Sequence, residues 1–188
     1  TVVLTRLIRD KVTNIDTFAA ILQKVRYRGG ILNGYASRLH YFSDWLYDNQ
    51  LKGFLIDITE TMGGKSCKKK INFMTRHPDE YPALNEAASF EEMLLVEEKL
   101  RNRPFHRIPK ADLPDWEEEI KDGDILGITS AKTGLDVMHV AMAVHIDGEL
   151  HLLHASCAEG RVMVSSATLS EYLDEKPERT GIMVGRIL

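Results

Sequence analysis

Cysteine is scarce in this chain, with only Cys67 and Cys157 among 188 residues. Two such thiols build no disulfide framework, and they leave the redox compartment open. An excess of one charge is lacking too. Twenty-four basic and 28 acidic side chains give a net charge of −4, without the basic bias that a nucleic-acid partner calls for. No apolar run is long enough to span a bilayer. Also missing are close-spaced cysteine–histidine ligand pairs, a phosphate-binding loop, a dinucleotide fingerprint, internal repeats and low-complexity tracts. No metal or cofactor is therefore expected. The opening TVVLTRLIRD has no secretory-leader pattern and starts on Thr1 without a helix cap. It reads as a processed, truncated or partly ordered start.

What is present supports one sizeable domain over 1–188. Hydrophobic residues make up 44% of the chain, enough for a real core. The first half reads mainly as helix. Val2, Leu4, Leu7 and Ile8 form one apolar stripe, ending near Asp10. Asn14 or Asp16 caps a second helix that buries Phe18, Ile21, Leu22 and Val25. Arg26–Gly34 is a glycine-rich loop. Tyr35–Asn49 is an aromatic-rich helix packing Leu39, Phe42, Trp45 and Leu46. Phe54–Thr61 suggests a strand, and Met62–Lys70 an exposed basic loop around Cys67. Ile71–Tyr81 leads into a turn at His77-Pro78. Ser89 is placed as the cap of a helix to Asn102, with Phe90, Met93, Leu94, Glu97 and Leu100 on its stripe. Phe105–Pro109 is extended, and Leu113–Ile120 is a short helix or turn.

From Asp124 onward the pattern changes to short extended runs: ILGIT, VMHVAMAV, ELHLLHA, RVMVSS and GIMVGRI. Only Ala167–Asp174 interrupts them as a helix. Helices first and strands afterwards make an α+β fold.

The chemistry concentrates in the hairpin VMHVAMAVHIDGELHLLHASC, Val137–Cys157. Asp147-Gly148 is a two-residue turn signal, because both positions tolerate positive φ. That turn sets Ile146 opposite Glu149, and by extension Ala141 opposite His154 and His139 opposite Ser156. Period-two alternation then gives His139, Ala141, Ala143 and His145 one face with Leu150, Leu152, His154 and Ser156. His139 and His154 become diagonal neighbours, close enough for one imidazole to set the tautomer of the other. The competing explanation is a structural role for each histidine, and a one-residue slip would separate them. Ala141 and Ala143 leave room for a helix against this face. The opposite face, Val140, Met142, Val144 and Leu153, is apolar enough to be buried as well.

Other candidates are weaker. Tyr35, Arg38, His40, Tyr41 and Asp44 gather polar and stacking groups in one short helix, with Arg38 a natural partner for a carboxylate. The same residues also fit the solvated side of an amphipathic helix. Cys67 sits among Lys65, Lys68, Lys69 and Lys70, a field that favours a thiolate, but at no helix start. Cys157 has the wrong parity to meet the two histidines. That parity also argues against a zinc site made from His139, His154 and Cys157.

YRGGILNGYASRLHYFSDWLYDN, INFMTRHPDEYPAL, GDILGIT, GLDVMHVAMAV, LHLLHAS and GIMVGR together resemble the DUF1460 family. It is described as N-acetylmuramoyl-L-alanine amidase-like, within the NlpC/P60 superfamily of papain-like cell-wall cysteine peptidases. The likeness runs over nearly the whole chain. It implies a single papain-like domain with N-terminal helices packed on a small antiparallel sheet. It implies peptidoglycan stem-peptide hydrolysis by a Cys-His-His triad, with a muropeptide as substrate and a periplasmic or secreted location. His139 matches the base and His154 its orienter. The tract of Tyr35, Arg38, His40, Tyr41 and Asp44 resembles part of the substrate cleft. Ala141 stands where the family usually has glycine.

One departure is large. In the family the nucleophilic cysteine opens the first core helix, and TVVLTRL resembles the tail of that helix. The resemblance thus implies a nucleophile a few residues before Thr1 and not at Cys67 or Cys157. It also implies that this stretch alone is inactive. Two other readings stay open on the same fold: a non-catalytic peptidoglycan-binding module, and an acyltransferase or lipid amidase.

Overall fold

The computed structural model describes residues 55–101, 105–156 and 158–187. The helices expected before residue 55 lie outside the described residues, as does Cys157. Within them, strands β1 (Leu55–Asp57), β2 (Lys65–Cys67), β3 (Phe105–Pro109), β4 (Ile125–Ser130), β5 (Val137–Ile146), β6 (Glu149–Ser156), β7 (Arg161–Val164) and β8 (Arg179–Ile187) form one sheet. Helices α1 (Phe73–Arg76), α2 (Ala87–Arg101) and α3 (Leu169–Asp174) lie between them. The expected α+β class holds, with the sheet drawn mostly from the C-terminal half.

The strand order is β2-β3-β8-β4-β5-β6-β7, and every pairing is antiparallel. The last strand, β8, is the organiser. One edge pairs with β4, while the other is shared between β3 near Gly181 and β1 near Gly185. Glycine at 181 is demanded by geometry. Its φ is 152°, and a Cβ there would sit 2.0 Å from the carbonyl oxygen of Ile108. Only a residue without a side chain lets β3 come that close.

Period-two alternation builds the core. Ile108, Leu126, Ile128, Ala141, Ala143, Leu150, Leu152, Ile182 and Val184 project from one face and are buried. Leu169 and Leu173, one turn apart on α3, close over this layer with Leu113 and Ile120. Each fully buried leucine contributes roughly 2 kcal/mol. The short helix α3 is held at its start by a capping box. Thr168 Oγ1 accepts from the Glu171 amide, and the Glu171 carboxylate accepts from the Thr168 amide. The opposite sheet face carries a second apolar group, Met142, Val144 and Leu153, with Ile125, Val162 and Val164 against it.

Three local expectations are corrected. Lys65–Cys67 is not a loop but an edge strand, paired with β3 from Lys65↔Arg107 to Cys67↔Phe105. Its side chains carry no apolar pattern, so main-chain pairing decides it. The expected strand at Phe54–Thr61 is shorter, because Met62 and Gly64 donate back to Ile58 and Thr59 and turn the chain. Ser89 lies inside α2 and does not cap it, since the Glu86 carbonyl already accepts from Phe90. Leu94 is 45% exposed and falls off the expected stripe, whereas Glu97 and Leu100 on that stripe are buried. Docking falls to Leu100 and to Glu97, whose buried carboxylate accepts from the Thr75 amide and hydroxyl.

Candidate active site

The β5–β6 hairpin has the register that its turn dictates. Ile146↔Glu149, His145↔Leu150, Val144↔His151, Ala143↔Leu152 and Met142↔Leu153 are paired. Asp147 and Gly148 both take positive φ, 53° and 88°, as the tight turn requires. The ladder stops at Met142↔Leu153, short of the expected Ala141–His154 and His139–Ser156 pairs. Beyond it, among the described residues, β5 keeps only β4 as partner and β6 keeps only β7. The sheet forks there, and two imidazoles stand across the fork.

His139 Nε2 lies 2.8 Å from His154 Nδ1. The rings are nearly perpendicular, with centroids 5.0 Å apart. One β-bulge bears directly on this aim. Ile128 pairs with His139, but Thr129 pairs with Val137, leaving Met138 as an extra residue. A second bulge leaves Thr180 extra between Arg179 and Gly181 on β8. Such bulges bend a strand and re-aim the neighbouring side chain.

The hydrogen bond constrains the tautomers. For His139 to act as a base through Nδ1, that nitrogen must be unprotonated, so Nε2 carries the hydrogen. Nε2 then donates to His154 Nδ1, and His154 carries its own hydrogen on Nε2. Among the described residues, His139 Nδ1 has no hydrogen-bond partner. A proton acceptor aimed away from the neighbouring ring is what nucleophile activation needs.

Two residues that the sequence did not single out lie beside the dyad, Tyr172 against the imidazoles and Arg179 against Tyr172. The Tyr172 ring on α3 lies 5.7 Å from His154, edge-on, and 6.3 Å from His139. The Arg179 guanidinium sits 3.6 Å over the Tyr172 ring and is itself buried. No short-range motif marks either one. Tyr172 is one aromatic in a six-residue helix, and Arg179 stands two residues ahead of the apolar run of β8.

The electrostatics favour neutral rings. Burial, then His154, then Arg179 pull His139 down from 6.5 to about 4. Burial, then Arg179, lower His154 as well. For His139 the unfolded chain therefore binds the proton first. Its contribution to stability is complete above about pH 6.5 and is lost as pH falls from there toward 4. The loss expected from this one ring is about 2–3 kcal/mol. Urea unfolding at pH 7 and pH 4.5, repeated on His139→Gln, isolates it from the carboxylates. An equally steep acid loss in the variant would rule His139 out as its source.

The other expected residues fall elsewhere. His145 is on the dyad's face but pairs with Asp122, 2.7 Å away at the surface. Cys67 lies on β2, four strand spacings from β5 in the sheet order. That is about 19 Å, too far to meet His139. Tyr35, Arg38, His40, Tyr41 and Asp44 lie outside the described residues. Among the described residues no three histidine, cysteine, aspartate or glutamate side chains converge to hold a metal. No helix there is long and apolar enough to cross a membrane.

Comparison with known proteins finds relatives over most of the chain. The family model described as AmiA-like, N-acetylmuramoyl-L-alanine amidase-like, matches residues 2–182. A solved N-acetylmuramoyl-L-alanine amidase from Bacteroides uniformis is 41% identical over 93% of this chain and 75% of its own, with a TM-score of 0.71. A Bacteroides fragilis structure described as a xylanase is 38% identical over 78% of this chain, with a TM-score of 0.68, and the match spans 65% of that protein's length. A Legionella pneumophila protein of the DUF1460 family shares the fold at 20% identity and a TM-score of 0.51, over 77% of this chain and 60% of its own. No curated protein matches. The chain belongs to the AmiA-like, N-acetylmuramoyl-L-alanine amidase-like family.

Proposed function

We propose that the protein hydrolyses an amide of the peptidoglycan stem peptide by cysteine-dependent acyl transfer. The observation that carries this reading is the 2.8 Å bond from His139 Nε2 to His154 Nδ1. It leaves His139 Nδ1 as the base. In the reaction, Nδ1 takes the proton of a thiol, and the thiolate attacks the amide carbonyl. The carbon–nitrogen bond breaks as His139 returns that proton to the leaving amine. Water then hydrolyses the thioester and yields a carboxylate and the free thiol. His154 accepts from Nε2 throughout and spreads the positive charge that the ring gains.

The thiol is not Cys67, on grounds of distance. The family resemblance assigns it to the first core helix. The cleaved bond is the muramoyl–L-alanine amide or the D-glutamyl bond to the diamino acid. Arg38 reads a stem carboxylate, within a cleft that includes Tyr35, His40, Tyr41 and Asp44. The substrate places the protein outside the cytoplasm, periplasmic or secreted.

The two similar Bacteroides structures carry different reaction names, and the described side chains of the site favour one of them. Glycoside hydrolysis uses a pair of carboxylates flanking the bond, about 5–9.5 Å apart. The described side chain packed on this dyad is an aromatic ring, backed by a guanidinium, which suits acyl transfer.

The test is mass spectrometry of purified muropeptides and xylo-oligosaccharides treated with the complete gene product. A peptide beginning with alanine, or a fragment beginning with the diamino acid, is expected and also identifies the bond. Xylan cleavage, or muropeptide binding with no new amine, would overturn the proposal. The second outcome would identify a binding module.

A further inference from the structure

The ring packed on the two imidazoles comes from α3, and the guanidinium packed on that ring comes from β8. Tyr172 meets His154 at an interplanar angle of 79° and His139 at 34°. Arg179 lies over the Tyr172 ring, and its Nη1 donates to the Tyr172 carbonyl oxygen and to the Glu175 carboxylate, the latter at 2.9 Å. One residue of α3 is thus held twice by one guanidinium, through its ring and through its main chain. Arg179 is 7% exposed, so this arrangement is built into the interior and is not a passing surface contact.

We propose that Tyr172 and Arg179 act as a positioning clamp for the His139–His154 dyad, the ring fixing both imidazole planes and the guanidinium fixing the ring. The effect on turnover rests on the reading of His139 as the base, but the clamp on ring geometry does not. Edge-to-face packing restricts rotation of an imidazole about χ2, and that rotation decides which nitrogen meets which partner. Arginine suits this place, because its planar guanidinium can stack and donate hydrogen bonds at the same time.

The clamp also has an electrostatic side. The described ionisable groups facing His139 are His154 from β6, Tyr172 from α3 and Arg179 from β8, with Glu175 paired to Arg179 on its half-exposed side. A fixed cation beside two imidazoles opposes their protonation, and one carboxylate at the rim offsets part of that charge. Burial is the first cause of the downward direction of both histidines, and this cation adds to it. The dyad therefore stays in its base form on the acid side of neutrality.

The decisive measurement is side-chain nitrogen NMR of the two histidines in the complete protein, across pH. The native protein is expected to show His139 protonated at Nε2 and neutral well below pH 6.5. In Tyr172→Leu the single tautomer gives way to a mixture, and both midpoints move up toward the ordinary imidazole value. Tyr172→Phe, which keeps the ring, restores the native pattern. On muropeptides, Tyr172→Leu lowers kcat by about tenfold at unchanged KM and moves the acid limb of the pH profile upward. Should Tyr172→Leu not fold, Arg179→Lys reads the same quantities, since it keeps the charge but loses the planar stack. Unchanged tautomers and an unchanged acid limb in these variants would overturn the clamp. Altered NMR in a protein that never cleaves muropeptides would uphold the clamp and sink the proposed hydrolysis instead.

Discussion

His139→Ala is expected to lower muropeptide kcat/KM by about a thousandfold or more, with the fold intact. The size follows from the role. A positioned base typically contributes a factor of about 10²–10⁴, and loss of one member of a triad collapses the whole unit. His154 should behave differently. His154→Ala removes the acceptor for Nε2 and frees the His139 ring, yet leaves a base in place. About a 10–100-fold loss is expected there. His154→Gln should recover part of it, because the amide oxygen can accept the same Nε2 hydrogen. Steady-state kinetics on all three variants, with circular dichroism for folding, checks the ordering. Equal turnover in native protein and His139→Ala would remove His139 from the reaction.

The largest expected effect on stability lies elsewhere, at the pair of buried Asp124 and partly buried Arg186. Asp124 is 2% exposed, and its carboxylate accepts from Arg186 Nε at 2.8 Å, from Arg186 Nη2 at 2.6 Å and from the Lys121 amide at 2.8 Å. Arg186 Nη2 also donates to the Glu119 carbonyl. These contacts tie the end of β8 to the turn that opens β4. The Asp124 main chain continues the tie, since its carbonyl accepts from Ala143 on β5. Asp124→Ala is expected to cost about 3–5 kcal/mol, because it leaves a guanidinium partly buried without its counter-charge. Removing both charges should cost less. In urea unfolding, the double variant Asp124→Leu with Arg186→Leu is expected to be more stable than Asp124→Ala alone. A double variant as unstable as the sum of the two single losses would contradict this account.

Much of the sheet was legible because its signals are local. Asp147-Gly148 fixed a turn, the turn fixed the pairing of Ile146 with Glu149, and alternation carried that register back along both strands. The same alternation separated the Ala143–Leu152 face from the Met142–Leu153 face. Legibility failed where main-chain pairing or a lone polar contact did the ordering. Lys65–Cys67 has no apolar pattern, yet β3 offers it an edge. The helix α2 carries leucines, but Leu94 faces water while Glu97 reaches Thr75. Glu97 lay on the expected stripe, but its partner did not show, because a buried carboxylate finding a hydroxyl on another helix leaves no periodic trace.

The candidate site divides along the same line. The sequence by itself determined the hairpin, its turn and the shared face of His139 and His154, because period, turn chemistry and parity are properties of neighbouring residues. It also carried the family likeness. Tertiary structure alone decided that the ladder ends at Met142↔Leu153, that a bulge at Met138 aims His139, and that the bond runs from Nε2 to Nδ1. It alone brought Tyr172 and Arg179 to the dyad and kept Cys67 away. The physical reason is separation along the chain. Tyr172 and Arg179 reach His139 only because β8 returns beside β4 and α3 folds over that face, and no local pattern encodes a meeting between residues so far apart.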